Sequence, residues 1–231
     1  MGSSNDPCNP ETASTPVEPQ AMPAFAYMEQ LNAGHERFLR GHSRHPHSSA
    51  QRLQQLVKGQ HPGVAILSCS DSRVPLELLF DAGFGDLFVV RNAGNTSTSA
   101  TIASLEYGVQ ALGISLLLVM GHEGCGAVTA ACQPHGTLTP KLAELVLTIR
   151  GGLDEVDASG DLASAFRHNP IQAARHLVLG SELLRNRIDQ GELLIESACY
   201  TLARGEIEWL GCLDSAGGLH PTHARLGGGL R

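Results

Sequence analysis

Val64-Ala-Ile-Leu-Ser-Cys-Ser-Asp-Ser-Arg73 is the stretch on which the fold turns. Its first four residues are an apolar run bounded by Pro62 and Gly63, the pattern of a short buried strand. Where that strand stops, a thiol (Cys69), a carboxylate (Asp71) and a guanidinium (Arg73) follow at every second position. A second apolar run, Ile114-Ser-Leu-Leu-Leu-Val-Met120, ends the same way, in Gly121-His-Glu-Gly-Cys-Gly126. Two strands thus each deliver metal-ligating side chains at their carboxyl ends, where sites form in open α/β sheets. Cys69, His122 and Cys125 make a Cys2His set, which suits zinc with a fourth position left open.

Working outward, strands alternate with helical segments. Leu87-Phe-Val-Val-Arg91 predicts another strand and Ser97 to Leu112 a helix, with Ile102, Leu105, Val109 and Leu112 spaced by three and four. Helices are also predicted over Ala24 to Gly41, Ser48 to Lys58, one or two turns within Pro75 to Phe80, a segment from about Ala127, Lys141 to Ile149, and Ile171 to Asp189. Leu193 to Tyr200 predicts a strand, with Glu206 to Leu210 pairing back as a hairpin. The expected fold is α/β: a mainly parallel sheet of four to five strands flanked by helices, with an N-terminal helical arm and a C-terminal edge strand. Residues 1–22, rich in Pro, Ser and Thr, read as a flexible arm, 23–212 as the globular domain, and 213–231 as a loose glycine-rich tail.

The totals narrow the class. At 231 residues the chain fits one domain with appended segments, and its 42% hydrophobic and 17% charged residues are an ordinary globular balance. A net charge of −7 without a Lys/Arg block argues against nucleic acid. No apolar run reaches the roughly 18 residues of a membrane span. Six cysteines (Cys8, Cys69, Cys125, Cys132, Cys199, Cys212) are too sparse for a disulfide scaffold, which favours thiolate ligands. The first twenty residues lack a signal-peptide pattern, so a cytoplasmic location is expected, against the alternative of an exported chain with its signal removed.

The chemistry competes with plainer readings. A lone Cys beside a strand is usually a small buried hydrophobe, and Asp71–Arg73 could be a surface ion pair worth little. Jointly the three ligands favour a catalytic site over a structural one, which more often has four ligands in two close pairs. Cys132 is a conceivable fourth ligand, but it falls in the next helix. Residues two apart on an extended segment point the same way, so Asp71 and Arg73 can pair beside the metal. There Asp71 either orients a zinc-bound hydroxide or swings in as a fourth ligand. The glycines around His122 and Cys125 match no phosphate-binding fingerprint. They fit close backbone approach to a metal, with a helix beginning near Gly126.

Cys69-Ser-Asp-Ser-Arg73 together with His122-Glu-Gly-Cys125 resembles the β-class carbonic anhydrases. The likeness runs from about Leu31 to Leu210 and includes Phe80-Asp-Ala-Gly-Phe-Gly-Asp-Leu-Phe-Val-Val-Arg-Asn-Ala-Gly-Asn95 and Leu105-Glu-Tyr-Gly-Val109. It implies one zinc on Cys69, His122 and Cys125, an Asp71–Arg73 dyad, and reversible hydration of CO2 to bicarbonate. It further implies a substrate pocket of Gln60, Phe88, Tyr107 and the Gly126 amide at a homodimer interface embraced by the N-terminal helices. Ile66 stands where the allosteric subtype has tryptophan, which implies the open, non-allosteric subtype. His135 is a candidate proton relay. The departures are Ser197-Ala-Cys-Tyr-Thr-Leu-Ala-Arg-Gly205 in place of the family hairpin and Pro170 in place of valine. They touch assembly more than chemistry. The rival functions are a carbon disulfide or carbonyl sulfide hydrolase on the same scaffold, and a non-catalytic assembly component.

Overall fold

A computed structural model describes residues 22–133, 136–153 and 161–222. Residues 1–21 of the expected 1–22 arm, Cys8 among them, His135 and the end of the tail lie outside the described residues.

Six strands form one sheet in the order β2-β1-β3-β4-β5-β6. They are β1 (Val64–Cys69), β2 (Leu87–Asn92), β3 (Leu116–His122), β4 (Leu194–Thr201), β5 (Glu206–Leu213) and β6 (Leu219–His220). The first four are parallel, and β5 and β6 are antiparallel to their neighbours. Every residue of β1 and β3 is buried, as central parallel strands covered on both faces must be.

Among the described residues eight α-helices cover the sheet: α1 (Ala24–Leu39), α2 (Ala50–Gln55), α3 (Leu76–Leu79), α4 (Ser99–Leu112), α5 (Gly126–Cys132), α6 (Pro140–Leu153), α7 (Leu162–Gly180) and α8 (Glu182–Asp189). The two-residue alternation of the strands sorts their side chains between two layers. Ala65, Leu67, Leu117, Val119 and Ile195 pack under Leu105 and Val109 of α4, Leu177 and Val178 of α7, and Leu184 of α8. Ile66, Leu116, Leu118, Met120 and Tyr200 pack on the other face under Met28 and Leu31 of α1 and Leu76 and Leu79 of α3. The N-terminal helix therefore lies on its own chain's sheet, where Trp209 Nε1 donates to Asn32 Oδ1 at 2.9 Å. A third cluster gathers at the carboxyl ends, where Cys69, Cys125 and Cys199 meet Val128, Ile149 and Phe166 from α5, α6 and α7.

Three departures from expectation have physical causes. The single helix expected over 171–189 is two, broken at Ser181, whose hydroxyl oxygen caps α8 by accepting from the Leu184 amide. The first of the two starts earlier, at an Asp161 cap, and runs through Pro170. A proline there removes the bond to the carbonyl four residues back. That carbonyl, Phe166 O, instead accepts from the Cys199 thiol at 3.7 Å. Finally, Leu213 ends β5 and Leu219–His220 pair with it as a sixth strand, so part of the expected tail belongs to the sheet. Asp214 makes that turn, its Oδ1 accepting from the amides of Ala216 and Gly218.

Candidate metal centre

The parallel register sets the site. Ser68 stands opposite Met120 and His122 opposite Tyr200, so the ends of β1 and β3 finish side by side. Cys69 closes β1 and His122 closes β3, one step further into the strand than the sequence pattern suggests. Cys125 follows at the N-cap position of α5. All three are buried, and their ligating atoms lie within 4.8 Å of one another.

This cluster passes a test for zinc. The two sulfurs are 3.9 Å apart; tetrahedral zinc with bonds of about 2.3 Å to sulfur needs about 3.8 Å. His122 Nδ1 donates to the Glu123 carbonyl at 2.9 Å, which fixes the ring and leaves Nε2 as the inward-facing nitrogen. Nε2 is buried without a hydrogen-bond partner, as a ligand atom should be. The hydrogen bond with Cys125 pulls the Cys69 thiol well below its ordinary range against the opposing effect of burial, and His122 and the Gly94 amide add to the shift. Cys125 is pushed upward by the same contact and by burial, while the Val128 and Ala127 amides oppose the rise.

Asp71 and Arg73 stand beside the cluster. Arg73 Nε donates to Asp71 Oδ1 at 2.9 Å and Nη2 to Oδ2 at 2.8 Å, a bidentate fork, and Nη2 also reaches the Gly124 carbonyl at 3.2 Å. The Arg73 side chain holds the Asp71 carboxyl well below the usual carboxylate range. Asp71 Oδ2 lies 3.9 Å from His122 Nε2, at the edge of the metal position. From β2, Arg91 donates to the carbonyls of Cys69 (2.9 Å) and Asp71 (2.6 Å), gripping the backbone that carries ligand and dyad.

The remaining expected site residues fall elsewhere. Gly126 opens α5 next to Cys125 and is exposed. Phe88 and Tyr107 meet with ring centroids 6.3 Å apart. Phe88 pairs with Ala65, however, four residues short of the Cys69–Asn92 pair. At roughly 3.3 Å per residue that is about 13 Å from the ligand level of the same chain. Tyr107 is 53% exposed, and Gln60 is exposed on the loop before β1. One chain gathers ligands and dyad but leaves these aromatics apart from them.

Sequence reasoning passed over Arg91, Gly94 and Asn169, which support the centre through backbone contacts. The Arg-Asn-Ala-Gly-Asn run that closes β2 and turns out of it was the available signal for the first two. Asn169 has none, since it arrives from a helix 75 residues away.

A carbonic anhydrase family profile matches residues 64–207. Carbonic anhydrase 2 of Mycobacterium tuberculosis is 37% identical over 198 residues, covering 81% of this chain and 92% of that protein. A carbonic anhydrase of Synechococcus elongatus is 44% identical over 174 residues, covering 67% of this chain and 62% of the relative. Among solved structures, the β-carbonic anhydrase CcaA superposes with a TM-score of 0.61 at 26% identity over 80% of this chain and 88% of that one. Tetrameric β-carbonic anhydrases of Sordaria macrospora give 0.61 at 25% identity, covering 81% and 97%. With the profile spanning the ligands, the dyad and all four parallel strands, this chain belongs to the carbonic anhydrase family and is an enzyme of its β class.

Proposed function

We propose that the chain hydrates CO2 reversibly to bicarbonate and a proton at one zinc ion held by Cys69, His122 and Cys125. The observation that carries this reading is the pairing of a ligand cluster, with its orphaned imidazole nitrogen, and a carboxylate locked by arginine at its edge. When bound, zinc supplies a Lewis acid that makes hydroxide available near neutral pH. The protein's share is orientation. With both Asp71 oxygens engaged by Arg73, the carboxylate stays ionised and would accept a hydrogen bond from the nucleophile beside it, orienting that nucleophile toward the substrate carbon. The same fork keeps Asp71 from becoming a fourth ligand, which supports the open, non-allosteric subtype. In this reading the Gly126 amide and Gln60 would supply the hydrogen bonds to the substrate oxygens.

The pocket is completed by a second copy of the chain. Phe88 and Tyr107, displaced along the sheet from their own ligands and partly exposed, are available to a partner's centre, and so is Gln60. Among the described residues no helix is long and apolar enough to cross a membrane.

The test is stopped-flow CO2 hydration from about pH 6.5 to about pH 9, bracketing the pKa near 7 that zinc gives its water, beside a metal assay. About one zinc per chain with turnover across the range is expected. Activity confined to the alkaline end would reverse the subtype. Zinc without hydration would point to a hydrolase of carbon disulfide or carbonyl sulfide, or to an assembly role.

A further inference from the structure

The turn after β2 places two successive residues in the left-handed region, Gly94 (φ 71, ψ 19) and Asn95 (φ 46). Glycine is required at the first. A Cβ there would stand 2.6 Å from Ile149 Cδ1 and 3.2 Å from Ala127 Cβ, so the turn is wedged between α6 and α5. Asn95 tolerates its conformation better than most residues but still at a cost. What this backbone achieves is one contact: the Gly94 amide points at the ligand sulfur of Cys69, N to Sγ 3.4 Å.

On the opposite side of the turn stands Asn169, delivered by α7 and only 6% exposed. Its Nδ2 donates to the Gly94 carbonyl at 3.0 Å and to Asn95 Oδ1 at 3.1 Å, using both of its protons. Asn95 is fully buried and its own Nδ2 has no partner, so the Asn169 contact is what its side chain has in exchange for burial. Next along α7, Pro170 packs at the Gly121 position beside His122, so this part of the helix is seated on the ligand end of β3.

We infer that Asn169 is a positioning residue of the metal centre: it clamps the Gly94–Asn95 turn so that the Gly94 amide stays aimed at the Cys69 sulfur. The inference rests on Cys69 being a ligand. An N–H donor to a thiolate draws charge from the sulfur and leaves the bound metal more electrophilic, in the way that groups behind a ligand tune a centre. Asn169 would thereby act on the metal through a backbone amide, without touching metal or substrate.

The experiment compares wild type with Asn169→Asp, which keeps the shape but removes the donors, and with Asn169→Ala, which leaves room for water. The control is Leu177→Ala, which weakens α7 at a fully buried site of the main core remote from the turn. Two readouts are taken: the sulfur-to-metal charge-transfer band of the cobalt-substituted protein and zinc affinity by chelator competition. We expect both Asn169 variants to move the band to lower energy and weaken zinc about 10- to 100-fold, with Leu177→Ala leaving the band in place. Scalar coupling from cadmium to the Gly94 amide proton, present in wild type and lost in the Asn169 variants, reads the same contact without relying on affinity. Wild-type band, affinity and coupling in either folded Asn169 variant would overturn the inference, as would an equal band shift in Leu177→Ala. No metal–amide coupling in folded, cadmium-loaded wild type overturns it without any variant. If Cys69→Ser leaves the wild-type band unchanged, the ligand assignment fails instead, and the two failures are distinguishable.

Discussion

In the proposed mechanism Asp71 is the carboxylate beside the Cys69–His122–Cys125 cluster that is not itself one of the three clustered groups. Asp71→Asn keeps the shape and two polar atoms but replaces an acceptor that Arg73 holds ionised with a neutral amide. We expect one zinc to be retained, the melting temperature to change little, and kcat to fall about 10²- to 10⁴-fold, the range for a positioned acid–base group. Unchanged turnover would remove Asp71 from the mechanism. A second residue gives a prediction that is independent of catalysis. Glu196, in the middle of β4, is fully buried, with one oxygen accepting from Thr222 and the other without a partner. Burial pushes its carboxyl from an ordinary 4.5 up to about 7. A pKa raised by folding adds stability that is complete below the unfolded value and is lost as pH rises through the folded one. The fold should therefore lose on the order of 3 kcal/mol between about pH 4.5 and about pH 7 through this one group. Denaturant titrations of Glu196→Gln at several pH values should lack that share of the slope; parallel curves for the two proteins would contradict the assignment. The grouping of Cys69, His122 and Cys125, and the Asp71–Arg73 pair beside them, were legible in the sequence because spacing and strand ends decide them. Glu196 was read only as part of a strand, since its burial depends on the flanking strands β3 and β5 and on Thr222.

At the scale of elements, the contact between β3 and α7 governs the site. A Cβ on Gly121 would meet Pro170 Cδ at 2.9 Å, its Cγ at 3.0 Å and Phe166 O at 3.3 Å. The ring cannot move aside, because Pro170 lies within a continuous helix. Gly121→Ala should cost about 1–3 kcal/mol by overpacking. It should also weaken zinc binding, because His122 is the next residue. An unaltered denaturation midpoint would mean that α7 shifts freely. The same region shows where pattern reading reaches its limit. The central strands were legible as continuous apolar runs, which a sheet buried on both faces imposes on sequence, and α4 from its three-and-four spacing. The break at Ser181 was not, because apolar spacing continues across it and one hydroxyl's capping bond decides it. Likewise β6 has two residues, too few to carry any period.

For the whole molecule, the separation between ligands and pocket aromatics has a measurable outcome. If Phe88 and Tyr107 serve a partner's centre, the enzyme is an obligate dimer. Sedimentation at micromolar concentration should give at least twice the 24.4 kDa of one chain. Activity per chain should fall on dilution in step with dissociation. A fully active monomer would refute the shared pocket. The sequence disclosed this arrangement only through family likeness, because nothing in one chain's periodicity says which surface a second copy covers.

The reversal of direction after β4 has a further consequence. Four strands end on the side of the sheet that carries the Cys69–His122–Cys125 cluster, and the fifth begins there, Tyr200 facing Ile207, and runs away from it. From Trp209 onward the chain moves toward the opposite rim of the sheet, where Val64, Leu116 and Leu194 begin their strands. Tolerance to substitution should thus be graded along one axis of the molecule. At one pole, changes silence the enzyme while leaving it folded; at the other, they loosen the fold while each surviving molecule works normally. A saturation scan scored separately for abundance and turnover would draw that gradient directly.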